Sequence, residues 1–152
     1  VLIAEEEHVE EAVRDLIRIG YDNVVAYADT TTLDRYFDEG GESAHIEEIM
    51  FEDLDSFMVA NGGTVLDVRF SSEFDAAGLS GAVNASYTRM PDYMGARLSK
   101  ETTYLIHCGT GARAAAATSF LAKHGFDVVY VNGSFDEYAA THELVQAEPA
   151  LA

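Results

Sequence analysis

A chain with one cysteine cannot close an internal disulfide, and Cys108 is the only cysteine among 152 residues. That excludes a disulfide-stapled fold and a cysteine-rich zinc site, and it makes a reducing compartment, the cytoplasm, the expected setting. Basic residues are scarce too. Lys100 and Lys123 are the only lysines, and 9 lysines and arginines stand against 27 acidic residues, for a formal net charge of −18. Such a surface repels polyanions, so nucleic-acid binding, which draws its affinity from phosphate neutralisation, is not expected. The charge fits simple solubility, or a high-salt setting in which the Debye length falls to roughly 3 Å at 1 M. No apolar run reaches the ~18 residues of a membrane helix, and no charged-then-apolar leader opens the chain, so no membrane partner is expected. The chain opens on Val1-Leu2-Ile3-Ala4, without methionine and inside a strand-like run, as expected of a piece of a longer polypeptide.

What is present is globular: 48% of residues are hydrophobic, enough at this length for one ordinary domain or one domain with an appendage. Cys108 opens the segment Cys108-Gly109-Thr110-Gly111-Ala112-Arg113. The apolar run Tyr104 to His107 before it reads as a buried strand, and Ala112 to His124 after it reads as a helix. At a strand-to-helix turn several backbone N–H groups lack a partner within the helix, and the helix dipole adds partial positive charge. An anion bound there, or a thiolate formed there, is stabilised. A lone cysteine is commonly a small buried hydrophobe. Gly109 and Gly111 weigh against that here, because glycines let successive N–H groups curl towards one spot, and Arg113 adds a permanent cation at the loop's end.

The pattern along the chain alternates. Val1 to Ala4 reads as a strand and is followed by a helix carrying Val9, Ala12, Val13, Leu16 and Ile17 on one face; Gly20 sits at its C-cap, and Asn23 to Tyr27 reads as another strand. Glu5, Glu6 and Glu7 form a solvated acidic helix start. A looser segment from Asp29 to Ser43 holds a short helix at Leu33 to Phe37, and Gly40-Gly41 marks a boundary, giving regions 1–43 and 44–152. Strands follow at Ile46 to Met50, Thr64 to Val68, Ala82 to Asn84, Tyr104 to His107 and Val128 to Val131. Helices are expected at Glu52 to Ala60, Ser72 to Ala76, Asp92 to Leu98, Ala112 to His124 and from Phe135 onward. Strands alternating with helices imply a largely parallel sheet covered on both faces. Ligands of such sheets bind beyond the carboxyl ends of the strands, where Cys108 and the group Asp67, Val68 and Arg69 both fall.

An internal repeat adds to this. Leu16-Ile17-Arg18-Ile19-Gly20-Tyr21-Asp22-Asn23-Val24-Val25 parallels Leu121-Ala122-Lys123-His124-Gly125-Phe126-Asp127-Val128-Val129 with one insertion, and Leu33-Asp34-Arg35-Tyr36 parallels Phe135-Asp136-Glu137-Tyr138. Region 1–43 is therefore expected to be a partial second copy and linker, with Glu5 roughly where the other copy has Cys108. Lacking a nucleophile, it is expected to be inactive. Of the histidines, His107 is expected to point away from Cys108 as a packed or edge residue, and His8, His45, His124 and His142 lack ligand spacing. Tyr87, Met90 and Pro91 could rim a pocket or simply pack.

The ordered set Leu66-Asp67-Val68-Arg69, Glu73-Phe74, Gly78-Leu79-Ser80-Gly81-Ala82-Val83-Asn84, Cys108 to Arg113 and Gly133-Ser134-Phe135 resembles a rhodanese domain, over about residues 45 to 145. The resemblance implies a three-layer α/β/α fold around a central five-stranded parallel sheet. It also implies a sulfurtransferase that moves sulfane sulfur from thiosulfate or a low-molecular-weight persulfide to a thiol acceptor, through a persulfide on Cys108. Gly109, Thr110, Gly111, Ala112 and Arg113 would bind substrate, with Arg69 either assisting or forming a structural ion pair; no cofactor or metal is implied. Four residues enclosed between cysteine and arginine resemble the sulfurtransferases, whereas five resemble phosphatases and arsenate reductases. Two positions depart from the family pattern: Leu79 stands where histidine is frequent, and Ala114 where serine or threonine is. The opening segment Val1 to Tyr27 resembles the region after the metal-binding domain in fusions of a metallo-β-lactamase-fold persulfide dioxygenase with rhodanese modules. A fused or separate persulfide-oxidising domain is therefore an expected partner. The rival reading is a non-catalytic sulfur-carrier or docking module.

Overall fold

The computed structural model describes residues 1–18, 20–142 and 144–145; residues 146–152 of the expected second region lie outside the described residues. The chain divides into two units, Val1–His45 and Ile46–Ala152. In the first, strand β1 (Leu2–Ile3) leads into helix α1 (Glu6–Arg18), strand β2 (Tyr27–Ala28) and helix α2 (Thr30–Asp38), with β1 and β2 parallel. Glu6 and Glu7 lie in the first turn of α1 and Arg18 in its last, as the helix dipole favours. Past the end of the helix Gly20 takes φ 90°, and the N–H groups of Gly20 and Tyr21 return to the carbonyls of Ile17 and Leu16. The strand expected at Asn23 to Tyr27 reaches only Tyr27–Ala28, because β1 offers it a two-residue partner. The short helix expected at Leu33 starts three residues earlier, since the Asp29 carboxylate accepts the Thr32 N–H and caps it. Neither helix has a fully buried residue.

The second unit buries its apolar runs on both faces of one parallel sheet. Its elements in order are β3 (Glu47–Met50), a 3-10 turn at Phe51–Asp53, α3 (Leu54–Asn61), β4 (Thr64–Asp67), α4 (Ser71–Ala76), β5 (Gly78–Leu79), β6 (Val83–Asn84), α5 (Met90–Ala96), β7 (Tyr104–His107), α6 (Ala112–Lys123), β8 (Val128–Asn132), α7 (Phe135–Ala139) and β9 (Leu144–Val145). The five-stranded sheet runs in the order β3-β8-β7-β4-β6, and every neighbouring pair is parallel. A small antiparallel pair, β5 with β9, was not legible in the sequence. The helix expected at Asp92 begins at Met90, because Pro91 with its fixed φ suits the first helical turn.

Alternation along β7 assigns the two faces. Tyr104, Ile106 and Cys108 join Leu66, Ala114, Ala117 and Leu121 in one core cluster, while Leu105 joins Phe51, Leu54, Val129, Val131 and Phe135 in the other. Leu79 is buried in this second cluster, so an apolar side chain at that position is a packing residue here. Among the described residues no helix is long and apolar enough to cross a membrane.

Candidate functional site

Cys108 follows β7 directly, and α6 begins four residues later. Its side chain is 1% exposed and sits within the α6-side core. The N–H of Gly111 donates to the Cys108 Sγ at 3.2 Å, so the loop folds back over the sulfur. Gly111 has φ 97°, and a Cβ there would lie 2.5 Å from Tyr130 Oη and 2.9 Å from Asn132 Oδ1. Only glycine fits, on conformation and on space. The loop is fixed at its start by Phe135, whose N–H donates to the Gly109 carbonyl at 2.9 Å. Beyond Gly111, the N–H groups of the first turn of α6, at Ala112, Arg113 and Ala114, have no acceptor within the helix. The Ala114 methyl is fully buried, and this side chain adds no donor beyond its backbone N–H.

Arg113 does not stand free at the end of this loop. Its Nη1 and Nη2 donate to the two carboxylate oxygens of Glu73 at 2.6 and 2.9 Å, a bidentate clamp across the start of α4. The other half of the clamp is local, because Glu73 Oε2 also accepts the Phe70 N–H. The Arg113 guanidinium lies 5.6 Å from the Phe70 ring centre, and Phe70 packs on Tyr87 with ring centres 5.9 Å apart. Hydrogen bonding to Arg113 holds the Glu73 carboxyl down to about 2, and the same bond raises Arg113 further, with a smaller contribution from Cys108.

Arg69 is placed differently. Its Nε and Nη2 reach the Asp67 carboxylate, the latter at 2.5 Å, and Nη2 also donates to the Ala77 carbonyl at 2.6 Å. The guanidinium carbon stacks 3.6 Å from the Phe135 ring centre, and the pair is buried. Asn84 ties down the same corner, donating from Nδ2 to the carbonyls of Asp67 and Arg69. His107 is fully buried, stacks on Phe135 and has its Nδ1 3.3 Å from the Cys108 carbonyl. Its Nε2 has no hydrogen-bond partner and lies 3.7 Å from Asp67 Oδ2. Burial pushes its pKa down, outweighing the attraction of Asp67.

The structure places Gly109, Thr110, Gly111, Ala112 and Arg113 on the turn from Cys108 into α6, with the Gly111 N–H on the sulfur, and seats Arg69 against Asp67, Ala77 and Phe135. Met90 shares the core cluster of Cys108, whereas Pro91 is exposed. Three contributors were given no role from the sequence: Glu73, Tyr130 and Asn132. Tyr130 donates to Asn132 Oδ1, and Asn132 Nδ2 donates to Glu48. Burial, then the charges of Glu48 and Cys108, raise the Tyr130 pKa. The signal that could have found Tyr130 is register, since it pairs with Ile106 and so shares a face with Cys108. No local signal couples Glu73 to Arg113, 40 residues apart. Among the described residues no group of three His, Cys, Asp or Glu side chains could hold a metal ion.

A parallel α/β/α sheet whose cysteine opens a six-residue loop into a helix N-terminus defines a class of small anion-cradling cysteine domains. Within it, the chain belongs to the Rhodanese-like domain family, whose family model matches residues 50–141. Among solved structures it is similar to a protein of Staphylococcus saprophyticus at 28% identity and TM-score 0.59, covering 66% of this chain and 99% of that one. A rhodanese-related protein from Thermoplasma volcanium is 26% identical, with the same coverage and TM-score. A Rhodopseudomonas palustris protein described as a possible tyrosine phosphatase matches at 16% identity and TM-score 0.57, over 74% of this chain and 90% of that one. At that identity it shows the shared fold and no more. No curated protein matches.

Proposed function

We propose that this domain is a sulfurtransferase in which Cys108 carries sulfane sulfur as a persulfide. The observation that carries the reading is the Cys108 sulfur held by the Gly111 N–H at the mouth of a helix, inside a loop that encloses four residues. The Cys108 thiolate attacks the outer sulfur of the donor. The donor's S–S bond breaks, its inner sulfur leaves with the electron pair as a thiolate or as sulfite, and the new bond is Cys108 Sγ–S. The terminal sulfur then faces the unshared N–H groups at the start of α6, which stabilise its negative charge. An acceptor thiolate or cyanide attacks that sulfur and restores the Cys108 thiolate. Gly109 to Ala112 supply the cradle, and Arg113 holds the loop's far end through Glu73. Arg69, tied to Asp67, supports the corner from which Asn84 and Ala77 are fixed.

Region 1–43 fits the reading of a partial, inactive copy. The glycine turns that follow α1 at Gly20 and α6 at Gly125 share the same bonding: the N–H groups of Phe126 and Gly125 return to Leu121 and Ala122 as those of Tyr21 and Gly20 do to Leu16 and Ile17. The loop from β1 to α1 holds Ala4 and Glu5 only, too few for a cradle.

Steady-state thiocyanate formation from thiosulfate and cyanide tests turnover. A sulfurtransferase gives parallel double-reciprocal lines, the signature of a ping-pong cycle, and loses all turnover in Cys108→Ala. A domain that only carries sulfur loads once without turning over.

A further inference from the structure

The acidic chain must build any attraction for an anionic donor locally, and the loop does not leave its cations free to do so. Arg113 is neutralised by Glu73 in a two-bond clamp. Arg69 is neutralised by Asp67 in a buried pair. Beyond the cradle, Glu48 joins through Asn132 to the Tyr130 hydroxyl, the atom against which Gly111 is packed. Two guanidiniums therefore stand among three carboxylates, and His107 adds no charge because burial keeps it neutral. Ala114 presents only a buried methyl next to the loop, so its side chain adds no positive or hydrogen-bonding group.

The two candidate donors differ most in charge. Attack of the Cys108 thiolate on thiosulfate gathers formal charges of −1 and −2 in one place, and sulfite leaves as a dianion. Attack on a hydropersulfide, R–S–SH, gathers −1, gives Cys108–S–SH and releases R–S⁻. The helix N–H groups serve the transferred sulfur equally from either donor and do not discriminate. The flanking side chains do, because only thiosulfate places a second charged group, the sulfonate, outside the cradle among them.

Resting on the sulfur-transfer reading above, we propose that Glu73 is a specificity-determining residue: by neutralising Arg113 it turns the site away from thiosulfate and towards a hydropersulfide with an uncharged body. Glu48 contributes in the same direction, one hydrogen bond further out.

The test is the second-order rate constant for adding sulfur to Cys108, read by quenched intact mass, with thiosulfate and with 2-hydroxyethyl persulfide as donors. Wild type and variants are compared at one ionic strength of about 0.1 M, where the Debye length is about 10 Å, so the long-range charge is nearly common to all and a change in ratio reports the local group. Glu73→Gln is expected to move the thiosulfate-to-persulfide ratio about tenfold in favour of thiosulfate, and Glu48→Gln about twofold in the same direction. Circular dichroism checks that each variant is folded, and if Glu73→Gln is not, Glu48→Gln decides. A ratio unchanged in the folded variants overturns the proposal while sulfur loading itself stands. No mass gain on wild-type protein from either donor overturns the sulfur-transfer reading, and the proposal falls with it.

Discussion

Arg69 and Arg113 each meet a carboxylate within hydrogen-bond distance, yet the two pairs belong to different environments. The Arg69–Asp67 side chains are 6% and 0% exposed, whereas those of Arg113 and Glu73 are 26% and 37% exposed. A buried pair is defined by what its loss leaves behind: a charge stripped of water and without a partner. A half-open pair can be rehydrated, so its loss costs little stability. One arginine therefore builds the corner of the sheet under the loop, and the other, in the proposal above, sets the charge at the loop's mouth.

The largest effect expected from breaking this comparison is on folding. Arg69→Met strands the Asp67 carboxylate in the core and should cost about 3–5 kcal/mol by urea unfolding. A loss below about 1 kcal/mol would place Asp67 in contact with water and erase the contrast. His107 gives a smaller, pH-dependent reading of the same buried corner. Burial lowers its pKa from the ordinary 6.5, so the unfolded chain binds a proton more readily than the folded one. Its share of stability is present in full above about pH 6.5 and is lost as pH falls below it. His107→Gln should flatten that slope in urea midpoints taken between pH 5 and 8.

Smaller still is the loss expected from Arg113→Met, at about 0–1 kcal/mol in the same unfolding measurement. The smallest is the acid limb of the open pair. Glu73 titrates near 2 when folded against an ordinary 4.5, so its contribution holds above about pH 4.5 and disappears as pH falls towards 2. The difference in urea midpoint between wild type and Glu73→Gln should be constant from pH 7 to about 5 and close below that.

The contrast between the two arginines also separates what the sequence could and could not reveal. Cys108, its glycines and the strand and helix around them are contiguous, so their pattern stands in the sequence, and the alternation of strands and helices carries the parallel sheet. The orientation of His107 away from Cys108 follows from strand alternation alone. Arg69 was legible as either a ligand-facing or a structural arginine, because Asp67 two residues away is a local partner. Glu73 stood within the family pattern without a role: its partner is 40 residues distant, and only the fold brings them together. Tyr130 and Asn132 were missed for the same reason, since they reach Gly111 from the neighbouring strand β8. Element ends shifted where a cap or a short partner decided them, as Asp29 did for α2 and the two-residue β1 did for β2.

The central claim is that Cys108 carries the sulfur, and the most direct measurement is the site of the added mass. After incubation with 2-hydroxyethyl persulfide and removal of donor, fragment mass spectrometry of the wild type should place one extra sulfur atom on Cys108, with none on Cys108→Ala. An unmodified wild-type Cys108, or the same gain in Cys108→Ala, would contradict the account.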